Sequence, residues 1–142
     1  MRLVVHGKRQ VEGVDYNETF APVAKMGTVR LFLPVVVSLK WELHQMNVHN
    51  AFLQGDLDEE VYMHFPPGYG TPVLRKVCKL RKSLYGVKQA PCQWFAKLSS
   101  VLRHFGFKPS YADYSLFSYV QGGVSLHGAC LCRRLDFYKF FS

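Results

Sequence analysis

Apolar and polar residues alternate along some stretches of this chain and recur at helical spacing along others, and the two patterns divide it into short elements. Arg2 to His6 alternates enough to be a strand. Gly7 to Pro22 is polar and turn-rich, with Gly13, Asp15 and Asn17 as breakers. Thr28 is a candidate cap for a helix reaching about Lys40, with Val29, Leu31, Phe32, Val35, Val36 and Leu39 as its apolar face. Pro34 interrupts that stretch. An interior proline removes one hydrogen bond and crowds the preceding turn, costing roughly 3 kcal/mol, so a kink or a damaged helix is expected. Trp41 to Val48 alternates as a strand, Ala51-Phe52-Leu53 makes a helical turn ended by Gly55, and Val61 to Phe65 is a strand closed by Pro66-Pro67-Gly68. Val77 to Leu80 predicts a further strand, followed by a turn at Tyr85-Gly86. The clearest helix starts near Pro91, where proline is tolerated in the first turn. Its residues Trp94, Phe95, Leu98, Val101, Leu102 and Phe105 share one face, and Gly106 ends it. Leu116 to Val120 and Val124 to Leu126 read as strands joined at Gln121-Gly122-Gly123. Strands and helices alternate without βαβ regularity, which predicts an α+β fold.

A chain of 142 residues has room for one modest core. Half of it is apolar and a fifth charged, which excludes a disordered chain, and there is no repeat or low-complexity tract. The formal net charge of +8 attracts polyanions, so nucleic acid and anionic membrane surfaces are the partners to weigh. No apolar run approaches the roughly 18 residues needed to span a bilayer, so no membrane partner is expected. The N-terminus lacks the pattern of a signal peptide, which points to an intracellular rather than a secreted protein. Cys78, Cys92, Cys130 and Cys132 do not have the spacing of a zinc knuckle, and free thiols in a reducing compartment are the simpler reading.

Long segments of the chain resemble one family. They are LVVHGKRQVEGVDYNETFAPVAKMGTVR from Leu3, WELHQMNVHNAFLQGDLDEEVYM from Trp41, KLRKSLYGVKQAPCQWFAKLSS from Lys79 and GFKPSYADYSLF from Gly106. In this order they resemble the reverse transcriptase of Ty1/copia-type retrotransposons, part of the Pol polyprotein, across Arg2 to His127. The resemblance implies a partial right-hand polymerase fold: fingers plus an incomplete palm, with a mixed or antiparallel sheet and packed helices. It assigns residues 1–127 to the reverse transcriptase domain.

Polymerisation joins a primer 3′-hydroxyl to the α-phosphate of a nucleotide, and two Mg²⁺ ions about 3.5–4 Å apart stabilise the attacking and leaving oxygens. Mg²⁺ requires hard anionic oxygens. The family takes one carboxylate from an M-D-V segment and a pair from a Y-V-D-D turn. Here the first segment reads Met46-Asn47-Val48, so Asn47 offers an amide in place of the carboxylate. Asp56, Asp58, Glu59 and Glu60 follow on a turn and strand start, where a solvated structural role competes with any substitute ligand role. The second segment is absent, for the chain continues Gly128-Ala129-Cys130-Leu131-Cys132-Arg133-Arg134-Leu135-Asp136-Phe137. If one extra nucleotide follows the His127 codon, codons permitted for these residues can hide Val-Leu-Val-Tyr-Val-Asp-Asp-Leu-Ile in the next frame. Residues 128–142 would then be a frameshifted tail in which Cys130, Cys132, Arg133, Arg134 and Asp136 carry no selected role.

Other positions carry roles that the resemblance implies. Phe52 stands where an aromatic gate would exclude a ribose 2′-hydroxyl, although a core aromatic explains it equally well. Lys88, Gln89 and Pro91 match an L-K-Q-A-P segment beside the incoming nucleotide and template. Lys88 would meet phosphate and Gln89 sugar or base. Cys92 departs from the arginine common at its place and removes a bidentate phosphate donor. Arg2 falls where a residue could meet the triphosphate. Lys79, Arg81 and Lys82 suit a nucleic-acid backbone, or form a solvated surface run. Asp113, in Tyr111-Ala112-Asp113-Tyr114, resembles the catalytic turn but belongs to a segment upstream of it, so it reads as structural.

The resulting expectation is a relic of an RNA-directed DNA polymerase domain. The parent would use Mg²⁺, dNTPs and an RNA or DNA template-primer. This chain would bind no metal or cofactor and would not polymerise. Losing the central hairpin would expose a strand edge and favour aggregation. A non-enzymatic nucleic-acid-binding fragment, and a pseudogene product without a biochemical role, are the alternatives.

Overall fold

The computed structural model describes residues 3–66, 68, 76–131 and 134–141, with the backbone alone from residue 131 onward. Its elements are α1 (Met26–Ser38), β1 (Glu42–Asn47), β2 (Asp56–Met63), β3 (Cys78–Lys82), α2 (Ala90–His104), β4 (Lys108–Pro109), β5 (Leu116–Gln121), β6 (Val124–Leu131) and β7 (Arg134–Phe141). The fold class is α+β, as the alternating pattern predicts. Every strand pair is antiparallel.

One sheet has five strands in the order β1-β7-β6-β5-β4, and β2 with β3 forms a separate ribbon. α2 lies against the larger sheet, because Trp94, Leu98 and Leu102 recur one turn apart and are all buried. They join Ala51, Phe117 and Cys130 in the core, with Val48, Phe52, Phe95 and Phe107 packed around them. Burying each large side chain here contributes roughly 1.5–3 kcal/mol.

α1 is less well covered. Phe32 meets Trp41 and His127 edge to face, and Val36 is buried, but Leu31, Val35 and Val37 remain exposed. The helix runs through Pro34. Pro34 has no N–H for the Arg30 carbonyl, and both residues are exposed, so water can satisfy that carbonyl. Thr28 does not cap α1. The helix starts earlier, with Lys25 at its N-cap, and the Thr28 hydroxyl instead donates to Asp113 Oδ2 at 3.0 Å.

Residues 3–6 do not form the strand that their alternation suggests. The Val5 N–H donates to the Tyr85 carbonyl at 2.8 Å, and the chain then turns into a short 3₁₀ helix at Gly7–Arg9, so no ladder is built. Asp56 to Glu60, expected on a turn and strand start, all lie within β2, which begins at Asp56 rather than at Val61.

The expected loss of the central hairpin is corrected outright. β6 runs on to Leu131, and β7 returns beside it in register from Val124↔Phe141 to Leu131↔Arg134. Leu135, Phe137, Tyr138, Phe140 and Phe141 are strong strand formers, which explains why the tail extends and pairs. Cys130 fills the core as a small hydrophobe; its N–H donates to the Ser115 carbonyl and its carbonyl accepts the Ala24 N–H, each at 2.9 Å. β7 then pairs with β1, so one edge of the sheet lies on the far side of β1, whose residues are exposed on both faces, and β4 forms the other. No helix among the described residues is long and apolar enough to cross a membrane.

Candidate active site

β1 and β7 are antiparallel neighbours, and their register sets Met46 opposite Leu135 and Asn47 opposite Arg134. Asn47 ends β1 opposite the first residue of β7. An amide oxygen contributes no net charge at this point, and its backbone partner belongs to a cationic residue. No group of three or more His, Cys, Asp or Glu suited to a metal ion occurs among the described residues. This donor set does not fit a pair of Mg²⁺ ions, which need several anionic oxygens.

Beyond β1 the chain turns through Asn50, whose φ of 53° puts it in the left-handed region, into the 3₁₀ helix Ala51–Gln54. Phe52 comes from this turn. It is half-buried against the core and meets the Tyr85 ring edge to face, with centroids 5.9 Å apart. The Tyr85 hydroxyl lies 3.5 Å from Asn50 Oδ1. Tyr85 reads in sequence only as part of a turn. Its place beside Asn50, 35 residues away in sequence, leaves no local signal for a second aromatic wall.

Gly86 and Gly7 bring the preceding loops together backbone to backbone. A Cβ on Gly86 would lie 2.0 Å from the Val5 carbonyl oxygen, and its φ of +95° is itself unfavourable to L side chains. That close approach leads into Lys88 and Gln89. Gln89 is 0% exposed and uses its amide fully: Nε2 donates to the Asp15 carbonyl at 3.1 Å and to Glu59 Oε2 at 2.9 Å, while Oε1 accepts from Gln10 Nε2 at 3.0 Å. Lys88 is half-buried. Its Nζ donates to the Gln10 carbonyl at 3.1 Å and the Tyr16 hydroxyl at 3.2 Å, and sits 4.9 Å from the Tyr16 ring centre. Both side chains are therefore engaged within the protein, tying residues 10–17 to β2 and the start of α2.

Pro91 occupies the first turn of α2. Cys92 follows, with its thiol pKa raised by burial and then by the negative charges of Glu18 and Glu59. On the ribbon, strand alternation sets Lys79 and Arg81 on one face and Lys82 on the other. Lys79 is paired with Glu60, which holds that carboxyl below its ordinary range, first through the hydrogen bond from Lys79 and then through one from Tyr62. Asp56 of β2 pairs with Lys97 of α2 at 2.7 Å. Arg2 lies outside the described residues, as do Cys132 and Arg133.

Asp113 is structural, as its position suggests. Burial pushes its carboxyl upward, but hydrogen bonds from Ser115 and Thr28 and the charge of Lys25 outweigh that and hold it below its ordinary value. It fastens the loop before β5 to α1.

The family model for reverse transcriptase (RNA-dependent DNA polymerase) matches residues 1–128. The chain is 48% identical over 122 residues to the retrovirus-related Pol polyprotein from transposon RE1 of Arabidopsis thaliana, covering 85% of this chain and 8% of that polyprotein. It is 46% identical over 113 residues to the corresponding polyprotein from transposon TNT 1-94 of Nicotiana tabacum, covering 79% of this chain and 8% of that one. With the Ty1-ER2 Gag-Pol polyprotein of Saccharomyces cerevisiae it shares 29% identity over 94 residues, covering 63% of this chain and 5% of the relative. The chain thus spans less than a tenth of the curated relatives it matches. No solved structure matches it. Nearly all of the sequence shares one descent, and the chain belongs to the reverse transcriptase (RNA-dependent DNA polymerase) family, with relatives in the Pol polyproteins of copia-type and Ty1 retrotransposons.

Proposed function

We propose that this chain is a remnant of an RNA-directed DNA polymerase domain, comprising fingers and an incomplete palm, that no longer polymerises. One observation carries this reading: the register of β1 and β7 joins Asn47 to Arg134 at the end of the sheet. In the frame one nucleotide on, the Arg133 and Arg134 codons can encode the Asp-Asp of the family's Y-V-D-D turn. The position of the first ligand would then lie across from the position of the pair. Where the family has three carboxylates, the sequence has an amide and two guanidinium groups, which bring no negative charge to hold Mg²⁺.

One observation supports residues 128–142 as a frameshifted tail: the family match runs to Gly128. Primer extension with Mg²⁺ or Mn²⁺ tests the inactivity. Incorporation no higher than in a protein-free control is expected, and incorporation above it overturns the reading. The coding DNA around His127 tests the tail. A second reading, a non-enzymatic nucleic-acid-binding fragment, draws on the net charge of +8 and the cationic face of β3. It requires binding whose log affinity falls steeply with log salt.

A further inference from the structure

The flank of α2 beside Trp94, Leu98 and Leu102 borders a cleft of about 690 Å³. Phe95, Ser99, Ser100 and Arg103 line it from the helix, and Phe20 and Pro22 form the opposite wall. Beyond Arg103 it meets a second cleft of about 440 Å³, bounded by Lys108 and Tyr111, and the two share Arg103 and Tyr114. Each lies within the roughly 300–1,000 Å³ typical of ligand sites. Together they make a groove that shares no lining residue with Asn47, Phe52, Lys88, Gln89 or the basic residues of β3.

Its chemistry is uneven in an informative way. Tyr111 is 95% exposed, Phe20 72% and Tyr114 61%, and none of these rings stacks on another aromatic among the described residues. Three bare aromatic faces along one groove are unusual, because each holds apolar surface against water. Arg103 and Lys108 have no acidic partner among the described residues. Glu18, which also lines the first cleft, makes no ion pair with either cation. Aromatic planes interleaved with unpaired cations match what a single strand presents, namely unstacked bases with π-faces and a phosphate at each step. A duplex hides its base faces and cannot use the rings.

We propose that this groove binds single-stranded nucleic acid, with bases stacking on Phe20, Tyr111 and Tyr114 and phosphates meeting Arg103 and Lys108. The groove is a surface additional to the family's polymerase site, and its assignment does not depend on whether the chain polymerises.

The test is fluorescence anisotropy of a fluorescein-labelled oligo-dT 12-mer with the full chain at low salt. Tyr111→Ala with Tyr114→Ala should weaken binding about tenfold or more, since each stacked base contributes roughly 1–3 kcal/mol. Tyr111→Phe should retain affinity. Arg103→Gln with Lys108→Gln should make the salt slope shallower by about 0.7 for each cation lost. The substituted positions are exposed, and circular dichroism confirms that each variant is folded. Wild-type affinity in the groove variants, with loss in a Lys79→Gln/Arg81→Gln/Lys82→Gln variant, overturns the groove while leaving the proposed function intact. Absent binding at low salt overturns it, as does equal competition by poly-glutamate or by a duplex of the same length.

Discussion

Asn47 and Arg134 are backbone partners across the β1–β7 ladder, so an uncharged amide and a cationic residue share this end of the sheet. On the proposed reading a single substitution does not create a metal site. Asn47→Asp alone is expected to leave Mn²⁺ binding, followed by electron paramagnetic resonance, at the level of the original chain. Asn47→Asp combined with Arg133→Asp and Arg134→Asp should create a measurable site. Binding by the single variant would show that residues elsewhere supply the missing carboxylates.

Gln89 joins three segments through one buried amide. Gln89→Leu keeps the volume but leaves the Gln10 amide, the Asp15 carbonyl and Glu59 short of a partner. A buried polar group left unmade costs about 1–3 kcal/mol, so a loss of about 2–3 kcal/mol is expected from the urea midpoint. An unchanged midpoint would mean that the amide is free to serve a ligand.

His127 stacks on Trp41, with ring centres 5.4 Å apart and planes 10° from parallel. Burial lowers its pKa from the ordinary 6.5. The unfolded chain therefore takes up a proton first as the pH falls. The stability His127 contributes is complete above pH 6.5 and is lost as the pH drops from there through the folded value. His127→Phe should preserve the aromatic cluster and flatten the thermal midpoint across that window. A variant with the same slope as the original chain would assign the dependence to other groups.

Gly86 tolerates no side chain. Gly86→Ala places a methyl against the Val5 carbonyl and forces an L residue to a φ of +95°. It should destabilise by about 2–4 kcal/mol in equilibrium unfolding, whereas Gly27→Ala, with open space around it, should not.

Local periodicity made much of this fold legible. The one-turn repeat from Trp94 to Leu102 marks α2, and Gln121-Gly122-Gly123 marks the β5–β6 turn. Both signals are carried by neighbours in sequence. The errors fell where distant residues decide. Thr28 looks like a cap until Asp113 takes its hydroxyl, and residues 3–6 alternate but find no strand to pair with. The expected loss of the hairpin fails because Phe137, Tyr138, Phe140 and Phe141 carry strand propensity and β7 pairs beside β6. At the candidate site, the identity of Asn47 was readable, but its pairing with Arg134 was not, because register is a tertiary property. The internal engagement of Gln89 and Lys88, and Tyr85 against Phe52, likewise depend on loops brought together from far apart.

Three contacts bind the start of the chain to the entrance of α2: Val5 to Tyr85, the Gly7–Gly86 approach, and Gln10 to Gln89, the last across a sequence separation of 79. During vectorial synthesis residues 5–10 must therefore wait, undocked, until 79 further residues separate Gln10 from its partner. The segment spends that interval as an unanchored stretch of peptide, exposed to proteases and chaperones before its landing place exists.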